Sequence, residues 1–102
     1  MPEFGNPFGG LAKEHKLTDA ELIRAIRFMV SAEYEAIQLY LQLAESIDNK
    51  LAIDVLRDIA DEERVHAGEF LQLLYELAPD EKKLYEDGEK EVQEITNKLK
   101  KN

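Results

Sequence analysis

The sequence is poor in several residue types, and each shortage excludes a class of protein. It contains no cysteine, which excludes disulfides and thiolate metal sites. It contains no apolar run of about 18 residues, so no membrane-spanning helix is predicted, and no signal peptide is visible at its start. Most of its few glycines and prolines fall before residue 17. The whole chain has 102 residues, of which 44% are hydrophobic and 34% charged. This length and composition are typical of one small helical domain.

Basic residues are also in short supply. The chain has 13 Lys and Arg against 22 Asp and Glu, which gives a formal net charge of −9. Binding to nucleic acid requires a clustered basic face, so no nucleic-acid partner and no membrane partner are predicted. An acidic surface concentrates divalent cations, but on charge alone solubility is the favoured explanation.

Two long helices joined by a short turn are predicted in the middle of the chain. The first begins at Thr18, whose capping box with Glu21 satisfies the end N–H groups, and runs to about Ile47. A polar turn over residues 48–50 precedes a second helix over 51–77. Because the connection is short, the two helices are expected to be antiparallel. The predicted fold is all-α.

The flanking segments complete the domain organisation. Residues 1–16 are predicted to form a flexible N-terminal arm, and 17–85 a helical hairpin domain. Pro79 starts a further helix, which we expect Gly88 to interrupt. Residues 86–102 are therefore predicted to be a short C-terminal helix or a linker tail.

Charged residues interrupt the apolar stripe of each long helix. The first stripe contains Glu33, and the second contains Glu63-x-x-His66, whose two side chains lie on one helical face and could bind the same metal ion. The stripes read Leu22, Ile26, Met29, Glu33, Ile37, Tyr40, Ala44, Ile47 and Val55, Ile59, Glu63, His66, Phe70, Leu73, Leu77. A solvated face or a buried ion pair is the alternative explanation.

One Glu and one Glu-x-x-His make half of a di-metal carboxylate site of a four-helix bundle. Two helices also leave apolar surface uncovered, so a two-fold dimer is predicted to complete both the bundle and the site. Carboxylates with one imidazole per ion suit iron or manganese, and zinc would also bind.

Two segments, Ser31–Tyr40 and Asp61–His66, resemble the paired segments of the encapsulated ferritins. The resemblance implies two-helix chains that dimerise around a di-iron centre, assemble into a decameric ring, and oxidise Fe²⁺ with O₂. It further implies a cytoplasmic location inside an encapsulin nanocompartment, with the encapsulin shell as partner. Some members are fused to the shell protein, in which case residues 86–102 would be the linker.

The resemblance also assigns individual residues. Glu33, Glu63 and His66 would be the iron ligands, two ions per dimer, with zinc, manganese or calcium as substitutes. Tyr40 would lie close to the centre, as its spacing from Glu33 also allows, and would otherwise be a core tyrosine. Glu62 and Glu35 would bind further metal ions, and would otherwise belong to an ordinary exposed face.

Two other functions are compatible with the same residues. A rubrerythrin-like centre would reduce peroxide, although the chain has no cysteines of the rubredoxin type to deliver electrons. A metal-stabilised helical assembly module would bind the ion without turnover.

Overall fold

The computed structural model describes residues 16–101 as three helices: α1 (Asp19–Glu45), α2 (Lys50–Leu77) and α3 (Pro79–Lys101). No strand occurs within this range, so the all-α prediction is confirmed. The predicted N-terminal arm lies, apart from Lys16, outside the described residues. Within them, no helix is long and apolar enough to cross a membrane.

The ends of the helices follow local chemistry. Thr18 Oγ1 accepts a hydrogen bond from the Glu21 backbone N–H at 3.2 Å, and the Thr18 N–H donates to the Glu21 carboxylate at 2.8 Å. This is the predicted capping box. Asn49 caps α2 by accepting from the Ala52 N–H at 3.0 Å. Pro79 occupies the first position of α3, where its missing N–H costs no helical hydrogen bond.

The helices α1 and α2 pack side by side as an antiparallel hairpin, hereafter the hairpin. Ile26 near the start of α1 clusters with Leu74 and Ala78 at the end of α2, which fixes the antiparallel direction. The buried residues of the seam recur at helical spacing on each element. They are Ile26, Val30, Ile37 and Ala44 on α1, and Ala60, Ala67 and Leu74 on α2.

The seam on α2 differs from the predicted stripe. Val55 and Leu73, expected to be inside, are 48% and 43% exposed, whereas Ala60 and Ala67 are buried. Hydrophobic periodicity gives most weight to large side chains, but a helix can approach its neighbour most closely where its residues are small. The large apolar residues of α2 therefore flank the seam.

A single hairpin leaves much apolar surface uncovered. Leu39, Leu43, Leu51 and Val65 are between 51% and 76% exposed. The radius of gyration is 18.1 Å, against about 13 Å for a compact domain of about 100 residues. The elongated shape and the exposed leucines indicate that the chain packs against further helices in a larger assembly.

The third helix is 23 residues long and continuous, so Gly88 does not interrupt it as we expected. One glycine costs about 1 kcal/mol relative to alanine in a helix. Good helix formers surround Gly88, and Gln93 donates a hydrogen bond to Asn97 one turn away at 3.0 Å, which favours continuation. The predicted boundary between residues 85 and 86 falls inside this helix.

Glu81 ties α3 to the hairpin. Its carboxylate accepts a bidentate set of hydrogen bonds from the Arg27 guanidinium of α1, with Nε contacts of 3.0 and 3.1 Å. The Tyr85 hydroxyl donates to the same carboxylate at 2.6 Å, and the Tyr85 ring packs edge-on against Tyr75 at 6.0 Å. Glu81 is buried, so these donors compensate its desolvation.

We expect the Tyr85→Phe substitution to remove one phenol from the alkaline titration curve. The hydrogen bond to the Glu81 carboxylate, followed by burial, raises the pKa of Tyr85 from 10.0 to about 12. Absorbance at the phenolate band, recorded against pH, measures this directly. Loss of a phenol that ionises near pH 10, with no change near pH 12, would contradict the described contact.

We expect acid to weaken the attachment of α3 through Glu81. The Arg27 hydrogen bonds hold the pKa of Glu81 below its ordinary value of 4.5. This contribution to stability is therefore complete above pH 4.5 and is lost as the pH falls through the lowered pKa. Denaturant unfolding across that range should show a smaller acid dependence for Glu81→Gln than for the unsubstituted chain. If the free energy of unfolding of the two proteins changed equally with pH, the ion pair of Glu81 with Arg27 would contribute nothing to stability.

Candidate metal centre

Three potential ligands converge at the middle of the hairpin. Glu33 comes from α1, and Glu63 and His66 come from successive turns of α2. His66 Nδ1 lies 3.5 Å from Glu63 Oε2 and 3.8 Å from Glu33 Oε2. Ligand atoms from the three side chains lie within 4.8 Å of one another, and no other such group of three His, Cys, Asp or Glu residues occurs in residues 16–101.

The burial of the three side chains is uneven. The side chains of Glu33 and Glu63 are 18% and 19% exposed, whereas His66 is 49% exposed. The carboxylates thus lie in the seam, and the imidazole lies at its edge. The group is open on one side, where further ligands or a second chain can approach.

Glu33 provides the clearest indication of a ligand. Its Oε2 atom is fully buried and has no hydrogen-bond partner within the described chain. A buried carboxylate oxygen without a partner carries a large desolvation cost. A cation between Glu33 and Glu63 would compensate that cost and would offset the repulsion between the two carboxylates.

The donor set fits a hard or borderline divalent metal. Two carboxylates and one imidazole are ligands that iron and manganese accept, and zinc binds them as well. Three side chains fill only part of the coordination sphere of iron or manganese. The three side chains could therefore form part of a metal site, whose remaining ligands would come from elsewhere.

The other sequence-predicted site residues lie around this group. Tyr40 is half-buried, two turns along α1 from Glu33. Glu35 and Glu62 are exposed and lie outside the group of three. Their predicted role in binding further metal ions stays a prediction.

Sequence reasoning missed the two alanines beside the site. Ala60 and Ala67 are 0% and 5% exposed and lie on α2 three residues before and four residues after Glu63. Small residues one turn away on each side allow α1 to come close to Glu63. The signal was present as an Ala-x-x-Glu-x-x-x-Ala pattern, but periodicity analysis treats alanine as neutral.

The family model described as rubrerythrin matches residues 24–101, which is most of the chain. The chain belongs to the rubrerythrin family. The predicted ferritin-like architecture is therefore confirmed.

One solved structure and two curated proteins connect this rubrerythrin-family chain to encapsulins. The structure is the encapsulated ferritin domain from Pyrococcus furiosus, with a TM-score of 0.82, 35% identity, and coverage of 90% of this chain and 93% of that one. An encapsulin nanocompartment cargo protein of Myxococcus xanthus is 42% identical over 81 residues, and a ferritin-like–encapsulin shell fusion protein of P. furiosus is 36% identical over 84 residues. The predicted resemblance to encapsulated ferritins is thereby confirmed.

The curated relatives are longer than the regions they share with this rubrerythrin-family chain. The matched region spans 79% of this chain and 61% of the M. xanthus protein. For the P. furiosus fusion protein it spans 82% of this chain and 24% of the relative.

Proposed function

We propose that the chain is a ferroxidase that oxidises Fe²⁺ with O₂ at a centre shared between two copies. The observation that carries this proposal is the convergence of Glu33, Glu63 and His66 around a buried carboxylate oxygen that has no hydrogen-bond partner in the described chain. Ferritin-like di-metal sites use one Glu from each of two helices and a Glu-x-x-His from each of two others. One hairpin supplies half of this set, and a two-fold dimer supplies all of it.

The residues of the chain then have distinct tasks. Glu33 and Glu63 hold the substrate Fe²⁺ ions and neutralise their charge, which becomes more important as each ion gains charge on oxidation. The imidazole of His66 fixes the position of one ion at the edge of the seam. Two Fe²⁺ ions each lose one electron, and one O₂ takes both electrons and two protons to become hydrogen peroxide.

Placing two ions in one bundle core accounts for the proposed rate enhancement. A single Fe²⁺ can give O₂ only one electron, whereas a pair supplies two at one place. The small residues Ala60 and Ala67 keep the two helices of each hairpin close, which supports a fixed separation of the carboxylates.

We further propose that the chain works as cargo of an encapsulin shell. The support comes from two relatives, one an encapsulin nanocompartment cargo protein and the other a ferritin-like–encapsulin shell fusion protein. The open metal centre supports the same proposal, since an open bundle has no interior volume in which to store oxidised iron. A shell would provide that volume in the cytoplasm.

Anaerobic titration with Fe²⁺, followed by addition of oxygen, tests the proposed centre. We expect about one iron bound per chain, because each chain holds half of a two-ion site. The ions should then oxidise rapidly when O₂ is admitted. Glu69→Gln, which removes an exposed carboxylate of α2, is the matched control and should bind and oxidise like the unsubstituted chain. Absence of stoichiometric iron binding would overturn the proposal.

The same experiment distinguishes a second candidate, peroxide reduction, which the rubrerythrin description of the family model favours. There, two Fe²⁺ ions give two electrons to H₂O₂, which with two protons becomes two molecules of water. Faster oxidation by H₂O₂ than by O₂ at equal concentration would favour this role. Stoichiometric binding without oxidation by either would favour a structural metal.

A further inference from the structure

The side chain of Met29 lies next to the candidate metal centre. Met29 and Glu33 are one helical turn apart on α1, so their side chains are neighbours on one helical face. The convergence of Glu33 with His66, and the packing of Ile26 with Leu74, place Met29 level with the part of α2 just beyond His66. The thioether is therefore about one helical turn from the group of three ligands.

Met29 also lies on the open side of the hairpin. When α1 is drawn at 100° per residue, Glu33 is displaced from the line of buried residues, and Met29 is displaced farther in the same direction. Met29 is 37% exposed, whereas the adjacent Val30 is buried. The displacement of Glu33 is toward His66, which forms the open edge of the site. The Met29 thioether consequently borders the space that the three ligands face.

The chain contains few sulfur atoms that an oxidant could modify. Methionine and cysteine are the residues with oxidisable sulfur, and the chain has two methionines and no cysteine. Met29 is the only methionine among residues 16–101. The neighbouring side chains Val30, Ile37 and Phe70 are hydrocarbons. An oxidant formed at the centre therefore has the Met29 thioether as its nearest sulfur in the described chain.

We propose that Met29 is a modification site, where hydrogen peroxide formed at the metal centre oxidises the thioether to the sulfoxide. This inference rests on the proposed ferroxidase function, which supplies the peroxide. The sulfur lone pair attacks one peroxide oxygen, and an S–O bond forms as the O–O bond breaks. The proton on the attached oxygen passes to the departing oxygen, which leaves as water. The sulfur loses two electrons and the peroxide gains them. A methionine sulfoxide reductase reverses such a change.

Proximity selects Met29 for this reaction. Peroxide released one helical turn away meets the thioether at a much higher effective concentration than peroxide in bulk solution. In the proposed dimer a second copy covers the open side, which slows the escape of peroxide and shields Met29 from peroxide formed elsewhere. Oxidation of Met29 should therefore follow iron turnover rather than the peroxide concentration of the solution.

Oxidation at this position opposes further turnover. A sulfoxide is polar, whereas the surroundings of Met29 include the apolar side chains of Leu22 and Phe70. Covering a sulfoxide with a second copy, without a hydrogen-bond donor for its oxygen, is unfavourable. The oxidised chain should therefore pair less tightly. Because the complete site needs two chains, weaker pairing lowers the rate of iron oxidation, and the centre limits its own production of peroxide.

A second thioether in the same chain provides the comparison. Leu51→Met introduces a methionine at the start of α2, where Leu51 is 76% exposed. Position 51 precedes Glu63 by 12 residues, or roughly 18 Å along the helix. Leucine and methionine have similar volumes, so the fold should be retained. The variant is loaded with Fe²⁺ and exposed to O₂ with catalase present, while absorbance records Fe³⁺. Peptide mass spectrometry then measures the sulfoxide at each position.

We expect iron turnover to oxidise Met29 at least about fivefold more than the thioether introduced by Leu51→Met. Hydrogen peroxide added to the metal-free variant should remove or reverse this preference, since the introduced thioether is the more exposed. The same ratio of the two sulfoxides under both conditions would overturn the proposal. Normal iron oxidation with unmodified Met29 would overturn this proposal alone, whereas absence of iron oxidation would overturn the proposed function with it.

Successive additions of Fe²⁺ test the effect of the sulfoxide on turnover. The oxidation rate of the unsubstituted chain should decline at least about twofold more than that of Met29→Leu, which carries no sulfur at this position. Met29→Gln, which places a polar group of similar size there, should be slow from the first addition. Circular dichroism confirms that both variants are helical. An equal decline in the unsubstituted chain and Met29→Leu would overturn the self-limiting role.

Discussion

Replacing His66 by alanine is expected to lower the rate of iron oxidation at least about 100-fold, because even partners that only orient a ligand affect metal sites by 10- to 100-fold. His66 supplies the one nitrogen ligand of each proposed half-site, and its Nδ1 is the atom nearest both carboxylates. In a two-fold dimer one substitution removes both imidazoles. Stopped-flow absorbance of Fe³⁺ formation, at matched protein and iron concentrations, measures the effect.

The control for this variant is Arg64→Ala. Arg64 is exposed on the same helix and forms a salt bridge with Asp61 at 2.9 Å, outside the metal centre. Surface salt bridges contribute little to stability, so this variant should oxidise iron normally. Equally fast iron oxidation by the His66→Ala and Arg64→Ala variants would show that the imidazole has no part in the reaction.

Replacing Glu33 by leucine is expected to stabilise the metal-free protein while abolishing its stabilisation by metal. Glu33 lies between the buried residues Val30 and Ile37, and its Oε2 atom has no hydrogen-bond partner among the described residues. Exchanging such a carboxylate for an apolar side chain of similar size should raise the free energy of unfolding by about 1–3 kcal/mol. The unsubstituted chain, but not this variant, should gain stability when Mn²⁺ or Fe²⁺ is added.

Thermal unfolding with and without metal, at one fixed protein concentration, checks both halves of this expectation. Gln38→Leu provides the control, because Gln38 is exposed on α1 and leaves the three ligands intact. That control should keep the full response to metal. A metal-free protein that is destabilised by Glu33→Leu would mean that the carboxylate has a partner in solution and that the ion-binding interpretation is wrong.

Much of the fold could be predicted because local signals and packing signals agree. The capping box at Thr18 and the polar turn that contains Asn49 set the starts of α1 and α2. Glu33 and the Glu63/His66 pair stood out because each breaks an apolar stripe, and the structure brings their side chains together. In both cases the information lies within a few residues of the chain.

The features that escaped prediction depend on contacts between distant residues. Arg27 and Glu81 are 54 positions apart, and neither lies in a pattern that indicates the other. His66 was placed inside an apolar stripe, but it is half-exposed in the single chain because the seam follows Ala60 and Ala67. The continuity of α3 through Gly88 reflects the summed propensity of many residues, which a single glycine does not outweigh.

The attachment of α3 near its N-terminus has a mechanical consequence. Arg27 bonds to α3 at Glu81 and Tyr75 packs on Tyr85, and α3 continues from Tyr85 to Lys101, roughly 24 Å farther at 1.5 Å per residue. The side chains that hold α3 near its N-terminus are one ion pair, Arg27–Glu81, and one pair of rings, Tyr75–Tyr85. Tilting α3 by about 10° would move its tip by roughly 4 Å, most of the roughly 5.4 Å pitch of one helical turn. The position of the C-terminal end of α3 is therefore sensitive to small shifts of the few atoms that hold Glu81.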